Sequence, residues 1–286
     1  MAQCEVCFRQ CHLNEGQMGP CHARIGRQGK VVPAWYGELS SMALDPVEKK
    51  PLRHFYPGRQ ILSVGSLGCN LDCPFCQNHV IAKPADTSRF SCNTEHMDPE
   101  KLTKVALSLR DRGNIGVAFT YNEPLVGYEY VRDCAREVQK NGMVNVLVTN
   151  GTASLQVLEE IAPYISAMNI DLKGFTDAYY SGVLGGSRQM VMDFISEAVR
   201  ICHVELTTLI VPGYNDSQEE MEALTEWVSG HPQLYGGGKG RDIPLHVTRF
   251  FPRHRFAAMN PTATETVYRL ADVARQRLRY VYTGNC

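Results

Sequence analysis

Short apolar runs alternate with longer amphipathic segments from residue 59 to the end of the chain. Six runs are almost continuously apolar, namely ILSVGS, IGVAFTY, VNVLVTN, AMNIDLK, HVELTTLIV and IPLHVTRFF, and YVYTGN is a candidate seventh. Such runs are typical of strands buried on both faces of a parallel sheet. The segments between them carry apolar residues three or four positions apart, and Asp, Ser or Thr stands near their starts. We therefore predict capped helices between the strands.

This alternation of strands and helices predicts an α/β fold around one parallel sheet. Six βα units either close into a partial barrel or lie open as a doubly wound sheet. In both architectures ligands gather at the carboxyl ends of the strands, which is where we expect the chemistry.

The chain is expected to divide in two at residue 58. Its first residues are rich in Gly, charge and cysteine, and residues 31–58 carry several prolines without a clean periodicity. A stretch of that kind predicts an irregular connecting arm. We therefore expect a Cys-rich metal-binding extension and connecting arm over residues 1–58, and the main α/β unit over residues 59–286.

Charge and cysteine content narrow the classes of partner and compartment. The 286 residues include 30 acidic and 29 basic side chains, so we expect neither nucleic acid nor a membrane as a partner. The first residues lack the apolar core of a secretory signal, and no run approaches the roughly 18 apolar residues of a spanning helix. Eleven cysteines then indicate metal binding or catalysis rather than disulfides, and a cytoplasmic location.

The motif GSLGCNLDCPFCQNH follows the first predicted strand and places Cys69, Cys73 and Cys76 at the spacing C-x3-C-x2-C. Thiolates are the ligands of iron-sulfur clusters, and a [4Fe-4S] cluster normally takes four of them. Three would leave one iron open to a chelating substrate, which favours catalysis. The alternative is a zinc knuckle, for which His79 can supply the fourth ligand.

A second group of cysteines, Cys4, Cys7, Cys11 and Cys21, has the spacing C-x2-C-x3-C-x9-C. This spacing indicates a metal without selecting it, so a zinc ion and an auxiliary iron-sulfur cluster both stay open. An extension with so few apolar residues would gain its fold largely from the metal.

The three-cysteine motif after the first strand resembles the signature of the radical S-adenosylmethionine superfamily. The blocks SMALDPVEKKPLRHFYPG, GCNLDCPFCQNH, TYNEP, LVTNG, NIDLKG, VPGYND and HVTRFFP resemble the AmmeMemoRadiSam-system radical enzymes, which are similar to the activating enzyme of pyruvate formate-lyase. The resemblance implies a partial (β/α)6 TIM-like barrel that holds a [4Fe-4S] cluster through Cys69, Cys73 and Cys76. The cluster would reductively cleave S-adenosylmethionine to a 5'-deoxyadenosyl radical, which would abstract hydrogen from an unidentified substrate.

The resemblance also implies cofactor contacts at the strand ends. Glu123 stands where related enzymes place an acid that accepts hydrogen bonds from the ammonium group of the cofactor, but Tyr121 and Asn122 replace the two glycines that precede this acid in the relatives. Glu123 can instead cap the helix after Pro124. The other residues assigned to the cofactor are Asn122, Asn150, Asp171, Lys173 and His246. Their ordinary alternatives are a turn at Asn150, a surface ion pair of Asp171 with Lys173, and a solvated charge cluster around His246.

Partners follow from the same resemblance. A one-electron donor of the flavodoxin or ferredoxin type would reduce the cluster, and the family's name suggests Memo-like and AMMECR1-like proteins. The substrate would be a glycyl-radical protein, another protein or a small molecule. The rival interpretations are a non-enzymatic zinc-binding interaction module and a simple ferredoxin-like electron carrier.

Overall fold

The computed structural model describes residues 1–84, 93–230 and 240–286. Its strands are β1 (Ala2–Gln3), β2 (His12–Leu13), β3 (Arg24–Arg27), β4 (Lys30–Pro33), β5 (Glu38–Leu39), β6 (Ser41–Pro46), β7 (Gln60–Gly65), β8 (Glu95–His96), β9 (Asn114–Phe119), β10 (Val144–Thr149), β11 (Ala167–Asp171), β12 (His203–Ile210), β13 (Leu245–Arg249) and β14 (Val281–Gly284). Its α-helices are α1 (His79–Ala82), α2 (Pro99–Ser108), α3 (Tyr128–Lys140), α4 (Leu155–Ile161), α5 (Arg188–Ala198), α6 (Gln218–Gly230) and α7 (Thr264–Arg275). Within these ranges no helix is long and apolar enough to cross a membrane.

An eight-stranded sheet runs in the order β14-β13-β12-β11-β10-β9-β7-β6. In this sheet β7 and β9 to β14 pair in parallel, and β6 pairs with β7 in the antiparallel sense. The six predicted strands are confirmed, and the candidate seventh is β14. In the described sheet β6 and β14 are the two ends of the order, so the barrel is partial, as the predicted fold class requires.

The two faces of the sheet pack in different cores because successive side chains of a strand point in opposite directions. One face packs in the large core together with the buried sides of the helices, and its members include Leu62, Val117, Leu147 and Met168. The alternate positions form a separate inner core with two residues of the arm, and its fully buried members are Val47, Leu52, Ile61, Ala118, Val146 and Ala167. The helices therefore cover the outside of the partial barrel, and part of the arm fills its inside.

The prediction of an irregular arm over residues 31–58 is wrong for Ser41–Pro46, which form the edge strand β6. Its residues pair along the whole of β7, from Ser41 opposite Gly65 to Pro46 opposite Gln60. An edge strand keeps much of its surface in water, so the nearly continuous apolar run that marks an inner parallel strand is absent. The sheet therefore crosses the boundary expected between residues 58 and 59.

Side-chain caps start several of the predicted helices. The side chains of Asp98, Ser154 and Ser187 each accept a hydrogen bond from the backbone of the first turn of α2, α4 and α5. These bonds satisfy amide groups that have no partner within the helix. The expectation fails at α7, which follows Ala263 without a side-chain cap.

The cysteine-rich extension lies against the carboxyl ends of β7, β9 and β10. The backbone carbonyl of Cys21 accepts a hydrogen bond from the amide of Cys69 at 2.9 Å, just beyond β7. The carbonyl of Val6 accepts one from Ser154 at 2.8 Å, beyond β10. The buried Arg24 makes an ion pair of 2.7 Å with Glu129 at the start of α3. These contacts place the extension at the end of the barrel where ligands are expected.

Candidate active site

The loop that follows β7 carries Cys69, Cys73 and Cys76, and the backbone of neighbouring segments fixes its path. The amide of Asp72 donates to the carbonyl of Leu184 at 2.8 Å, and the amide of Cys76 donates to the carbonyl of Cys73 at 3.2 Å. Gly68 has φ of +96°, and a Cβ there would lie 2.6 Å from Cβ of Ala23 in the extension. Only glycine suits that position, because any side chain would push the extension away from the loop.

Burial and nearby positive charge have opposite effects on the pKa of these three thiols. Burial raises the pKa of all three thiols, and it raises that of Cys73 to about 11. The ammonium group of Lys173 favours the thiolate forms of Cys73 and Cys76, and Lys83 favours those of Cys69 and Cys76. Buried thiols of this kind become ligands when a bound metal takes the place of the proton.

Among residues 1–84, 93–230 and 240–286, no three His, Cys, Asp or Glu side chains are placed to hold a single metal ion. His79 is not placed as a fourth zinc ligand: its Nδ1 lies 3.2 Å from the carbonyl oxygen of Cys76, and its ring stacks on His254 with centroids 4.4 Å apart.

Glu123 stands beyond β9 as a carboxylate that is only 3% exposed. Its Oε1 accepts hydrogen bonds from the hydroxyl of Thr149 at 2.7 Å and from the amide of Leu125 at 3.0 Å, and its Oε2 accepts one from the amide of Asn150 at 2.7 Å. Burial raises the pKa of Glu123 to about 7 despite these donors. The bond to Leu125 shows that Glu123 does cap the turn that follows Pro124.

Asn150 connects the end of β10 to the cysteine loop. Its Nδ2 lies 3.7 Å from Sγ of Cys69 and donates to Oδ1 of Asn70 at 3.0 Å, while its Oδ1 accepts from the amide of Thr152 at 2.9 Å. The adjacent Gly151 has φ of +69°, so the turn expected from the Asn-Gly pair is also present. The Asn150 side chain therefore lies beside the thiol of Cys69.

Asp171 is the last residue of β11, and Lys173 lies two residues beyond it. Nζ of Lys173 lies 2.7 Å from Oδ2 of Asp171, and the Lys173 side chain is only 16% exposed, so the pair is not the surface ion pair considered as an alternative. Burial alone would lower the pKa of Lys173, but Asp171 and Cys73 raise it above its ordinary value. A permanently charged ammonium group therefore faces the cysteine loop.

Asn122 and His246 both form hydrogen bonds within the protein. Asn122 holds the cysteine loop: its Oδ1 accepts from the amide of Ser66 at 3.0 Å, and its Nδ2 donates to the carbonyl of Gly68 at 2.9 Å. His246 lies near the amino end of β13, where its Nε2 is 2.7 Å from Oε2 of the buried Glu205. The sequence could not predict the position of His246. An apolar run does not reveal which end of the strand, or which face of the sheet, a polar residue within it occupies.

Tyr121 explains how this chain tolerates the loss of a glycine before Glu123. Its φ is +73°, a left-handed conformation that glycine adopts freely and tyrosine does not. The hydroxyl of Tyr121 donates to Oδ2 of Asp45 at 3.0 Å, and the ammonium of Lys50 lies 4.9 Å from the ring centroid. These contacts with the arm hold the strained residue in place.

The four cysteines of the extension share one pocket. Cys4, Cys7, Cys11 and Cys21 line the pocket together with Val6, Arg9, Leu13, Gly19, Arg24 and Val126. Burial raises the pKa of Cys7 to about 11, and the thiols of Cys21 and Cys4 add to that increase. The predicted grouping of these cysteines is therefore present in the fold.

Asn70 and Lys83 support the site and were missed in the sequence. Asn70 is 1% exposed, and its Nδ2 donates to the carbonyl of Thr152 at 2.8 Å. Nζ of Lys83 donates to the carbonyl of Cys69 at 2.8 Å. Asn70 could have been predicted as a site residue because it lies inside the cysteine motif. Lys83 could not, because its contact depends on how the loop folds.

The fold and the site together are those of a partial-barrel enzyme with its chemistry at the carboxyl ends of the strands. Residues 63–228 match the family model of the radical SAM superfamily. The chain belongs to that superfamily, whose members use a [4Fe-4S] cluster and S-adenosylmethionine. This membership does not favour the non-enzymatic zinc-binding module.

Several known proteins are similar to this chain. An uncharacterized protein of Methanocaldococcus jannaschii is 36% identical over 99% of this chain and 81% of its own length. Pyruvate formate-lyase 1-activating enzyme of Escherichia coli is 25% identical over 73% of this chain and 86% of its own length. The crystal structure of Streptococcus suis SuiB bound to S-adenosylmethionine shares the fold, with a TM-score of 0.58 and 14% identity over 79% of this chain and 52% of that one.

Proposed function

We propose that the protein binds a [4Fe-4S] cluster through Cys69, Cys73 and Cys76 and cleaves S-adenosylmethionine reductively. The observation that carries the proposal is the placement of three thiols on one strand-end loop between the buried Glu123 and the partly buried Lys173. The cluster and S-adenosylmethionine, when bound, supply a 5'-deoxyadenosyl radical that abstracts hydrogen from a substrate.

The strand-end residues position the cofactor in this proposal. The carboxylate of Glu123 accepts hydrogen bonds from its ammonium group, and the ammonium of Lys173 attracts its carboxylate, because opposite charges attract most strongly where water is scarce. Asp171 orients Lys173 through their 2.7 Å ion pair. Asn150 donates toward the sulfur of Cys69, and Asn122 holds the backbone of the loop.

The substrate and the partners are proposed as classes of molecule. The similarity to an activating enzyme supports a glycyl-radical protein as substrate, alongside another protein or a small molecule. Reduction needs a one-electron donor of the flavodoxin or ferredoxin type. Memo-like and AMMECR1-like partners rest on the resemblance of the sequence blocks alone. The cysteine content supports a cytoplasmic location, since cluster thiols need a reducing compartment.

Anaerobic reconstitution with iron and sulfide, followed by dithionite and S-adenosylmethionine, tests the proposed function. We expect 5'-deoxyadenosine by chromatography from the native chain and none from the variant that combines Cys69→Ala, Cys73→Ala and Cys76→Ala. Cys202→Ala is the matched control, because Cys202 lies outside both cysteine groups and should leave the product unchanged. Undiminished product from the triple variant would refute the proposal.

The cysteines of the extension also form part of the proposed function. We propose that Cys4, Cys7, Cys11 and Cys21 bind a metal, either zinc or an auxiliary cluster, because all four line the same pocket. The choice between the two metals depends on the shape and the polar lining of that pocket.

A further inference from the structure

We propose that the hydroxyl of Tyr179 donates a hydrogen bond to the sulfur of Cys73 when that cysteine binds the cluster. Hydrogen bonds to the sulfurs are among the factors that set the reduction potential of an iron-sulfur cluster. Tyr179 would therefore be a positioning residue that makes the cluster easier to reduce. The inference rests on the proposed function, because it needs the [4Fe-4S] cluster at Cys69, Cys73 and Cys76.

A π-helical turn over Tyr179–Leu184 lies between β11 and α5. Such turns are rare and occur frequently at functional sites. Near its start, the hydroxyl of Tyr180 accepts a hydrogen bond from the amide of Lys173 at 3.0 Å. At its end, the carbonyl of Leu184 accepts one from the amide of Asp72 at 2.8 Å. The turn is therefore bonded both to the segment beyond β11 and to the cysteine loop.

The hydroxyl of Tyr179 is buried and has no hydrogen-bond partner among the residues that the structure describes. The whole residue is only 3% exposed. The neighbouring Tyr180 is also buried, but its hydroxyl is used by the amide of Lys173. A buried hydroxyl rarely stays unpaired, since the cost of removing it from water is not recovered. Tyr179 therefore has an unused donor at the end of the barrel that carries the site.

Packing holds the ring of Tyr179 in this position. A Cβ at Gly174 would lie 2.6 Å from its Cδ1, so the absence of a side chain at Gly174 leaves room for the ring. The ring of Tyr214, beyond β12, has its centroid 6.2 Å away and stacks in turn on Phe256 at 5.1 Å. The amide of Phe256 donates to the carbonyl of Pro74 in the cysteine loop at 3.1 Å. The ring therefore belongs to an aromatic wall that ends on this loop.

Cys73 is the acceptor that fits this donor best. Burial raises the pKa of Tyr179, the negative charge of Cys73 raises it further, and the positive charge of Lys173 lowers it. Glu220 acts more weakly on Tyr179, and its Oε1 already accepts from the amide of Phe175 at 2.6 Å. A cysteine that binds iron is a thiolate, and an ionised sulfur accepts hydrogen bonds more strongly than a thiol does.

Tyr179→Phe removes the hydroxyl and keeps the ring, so it should load the same amount of iron as the native chain. EPR-monitored redox titration should give a more negative midpoint potential in this variant, because the hydrogen bond stabilises the reduced, more negatively charged cluster. Tyr268→Phe is the matched control, because Tyr268 lies on α7 and is 47% exposed. An unchanged potential in Tyr179→Phe would overturn the proposal.

A second measurement separates the hydrogen bond from a change in packing. After exchange into D₂O and without S-adenosylmethionine, pulsed ENDOR of the reduced cluster should detect a coupled deuteron that Tyr179→Phe lacks and Tyr268→Phe retains. An identical deuteron spectrum in Tyr179→Phe would overturn the proposal even if the potential shifted.

The two proposals fail in different ways. A native chain that binds no iron and sulfide at the three cysteines would overturn both. A cluster that forms and yields 5'-deoxyadenosine, but has the same potential and the same deuteron spectrum in Tyr179→Phe, would overturn the role of Tyr179 alone.

Discussion

The carboxylate of Glu123 accepts a hydrogen bond from the amide of Asn150 at 2.7 Å, which ties the segment beyond β9 to the end of β10. The same carboxylate is buried and has a pKa raised to about 7. Its hydrogen-bond donors fix its position, but they do not offset the cost of burying its charge. The position of Glu123 is therefore fixed, while its pKa stays above that of an ordinary carboxyl group.

Glu123→Gln should weaken the binding of S-adenosylmethionine to the cluster-loaded protein. A hydrogen bond to a charged group contributes roughly 1.5 to 3 kcal/mol, so we expect a loss of affinity of about 10-fold to 100-fold. Equilibrium dialysis measures this loss. Glu159→Gln is the control, because Glu159 is exposed. This variant should bind S-adenosylmethionine as tightly as the native chain does. Equal affinities for the two variants would contradict the role of Glu123.

The same binding should depend on pH. The ammonium group of the cofactor favours the ionised form of Glu123, and the pKa of the free site is about 7. The affinity should therefore fall as the pH drops below about 7, because protons then compete with the cofactor for the carboxylate. Titration of the dissociation constant measures the effect, and Glu123→Gln should remove that part of the pH dependence. A native profile that is flat across this range would contradict the assignment.

Lys173→Gln should make the cluster at Cys69, Cys73 and Cys76 harder to reduce. Lys173 stabilises the thiolate of Cys73, and the reduction potential of a cluster depends on the net charge around it. Removing the positive charge should shift the midpoint potential to a more negative value. EPR-monitored redox titration measures this shift, with the exposed Lys140→Gln as a control. An unchanged potential in Lys173→Gln would show that the ammonium group does not act on the cluster.

The sequence was informative where local pattern decides the structure. Buried parallel strands are nearly continuous apolar runs, so β7 and β9 to β13 could be recognised, and Glu123 and Asp171 follow from the ends of such runs. The edge strand β6 could not be recognised, since its apolar run is short and Met42, its second residue, is 41% exposed. The role of Asn70 depends on Thr152, which is distant in sequence, and that of His246 depends on Glu205 in a neighbouring strand.

Glu205→Gln should destabilise the protein, because Glu205 is a fully buried carboxylate that joins β12, β13 and the arm. It accepts from the amides of Arg53 and His54 and contacts the rings of His203 and His246. Removing the charge from such a network should cost about 2 to 4 kcal/mol of unfolding free energy. Urea denaturation measures this cost, with Glu159→Gln as the exposed control. A loss below about 0.5 kcal/mol, which is usual for a surface substitution, would contradict this role of Glu205.

The contribution of Glu205 should disappear in acid. Burial alone would raise its pKa, but the hydrogen bonds from the two histidines and the two backbone amides lower it from 4.5 to about 2. A depressed folded-state pKa stabilises the protein above the unfolded pKa and loses that effect as the pH falls toward the folded pKa. The difference between the native chain and Glu205→Gln should therefore shrink between pH 4.5 and about 2.

Leu52→Ala should destabilise the whole barrel, although Leu52 belongs to the arm. Its side chain is fully buried in the inner core, and the adjacent carbonyl of Pro51 accepts a hydrogen bond from Asn169 of β11 at 2.8 Å. Replacing a buried leucine with alanine costs about 2 to 5 kcal/mol through lost contacts and the cavity left behind. If the arm is an integral part of the barrel, urea denaturation should show one transition at lower denaturant concentration. The exposed Leu155→Ala should change stability little, and a separate early transition in Leu52→Ala that leaves the main one unmoved would show that the arm unfolds on its own.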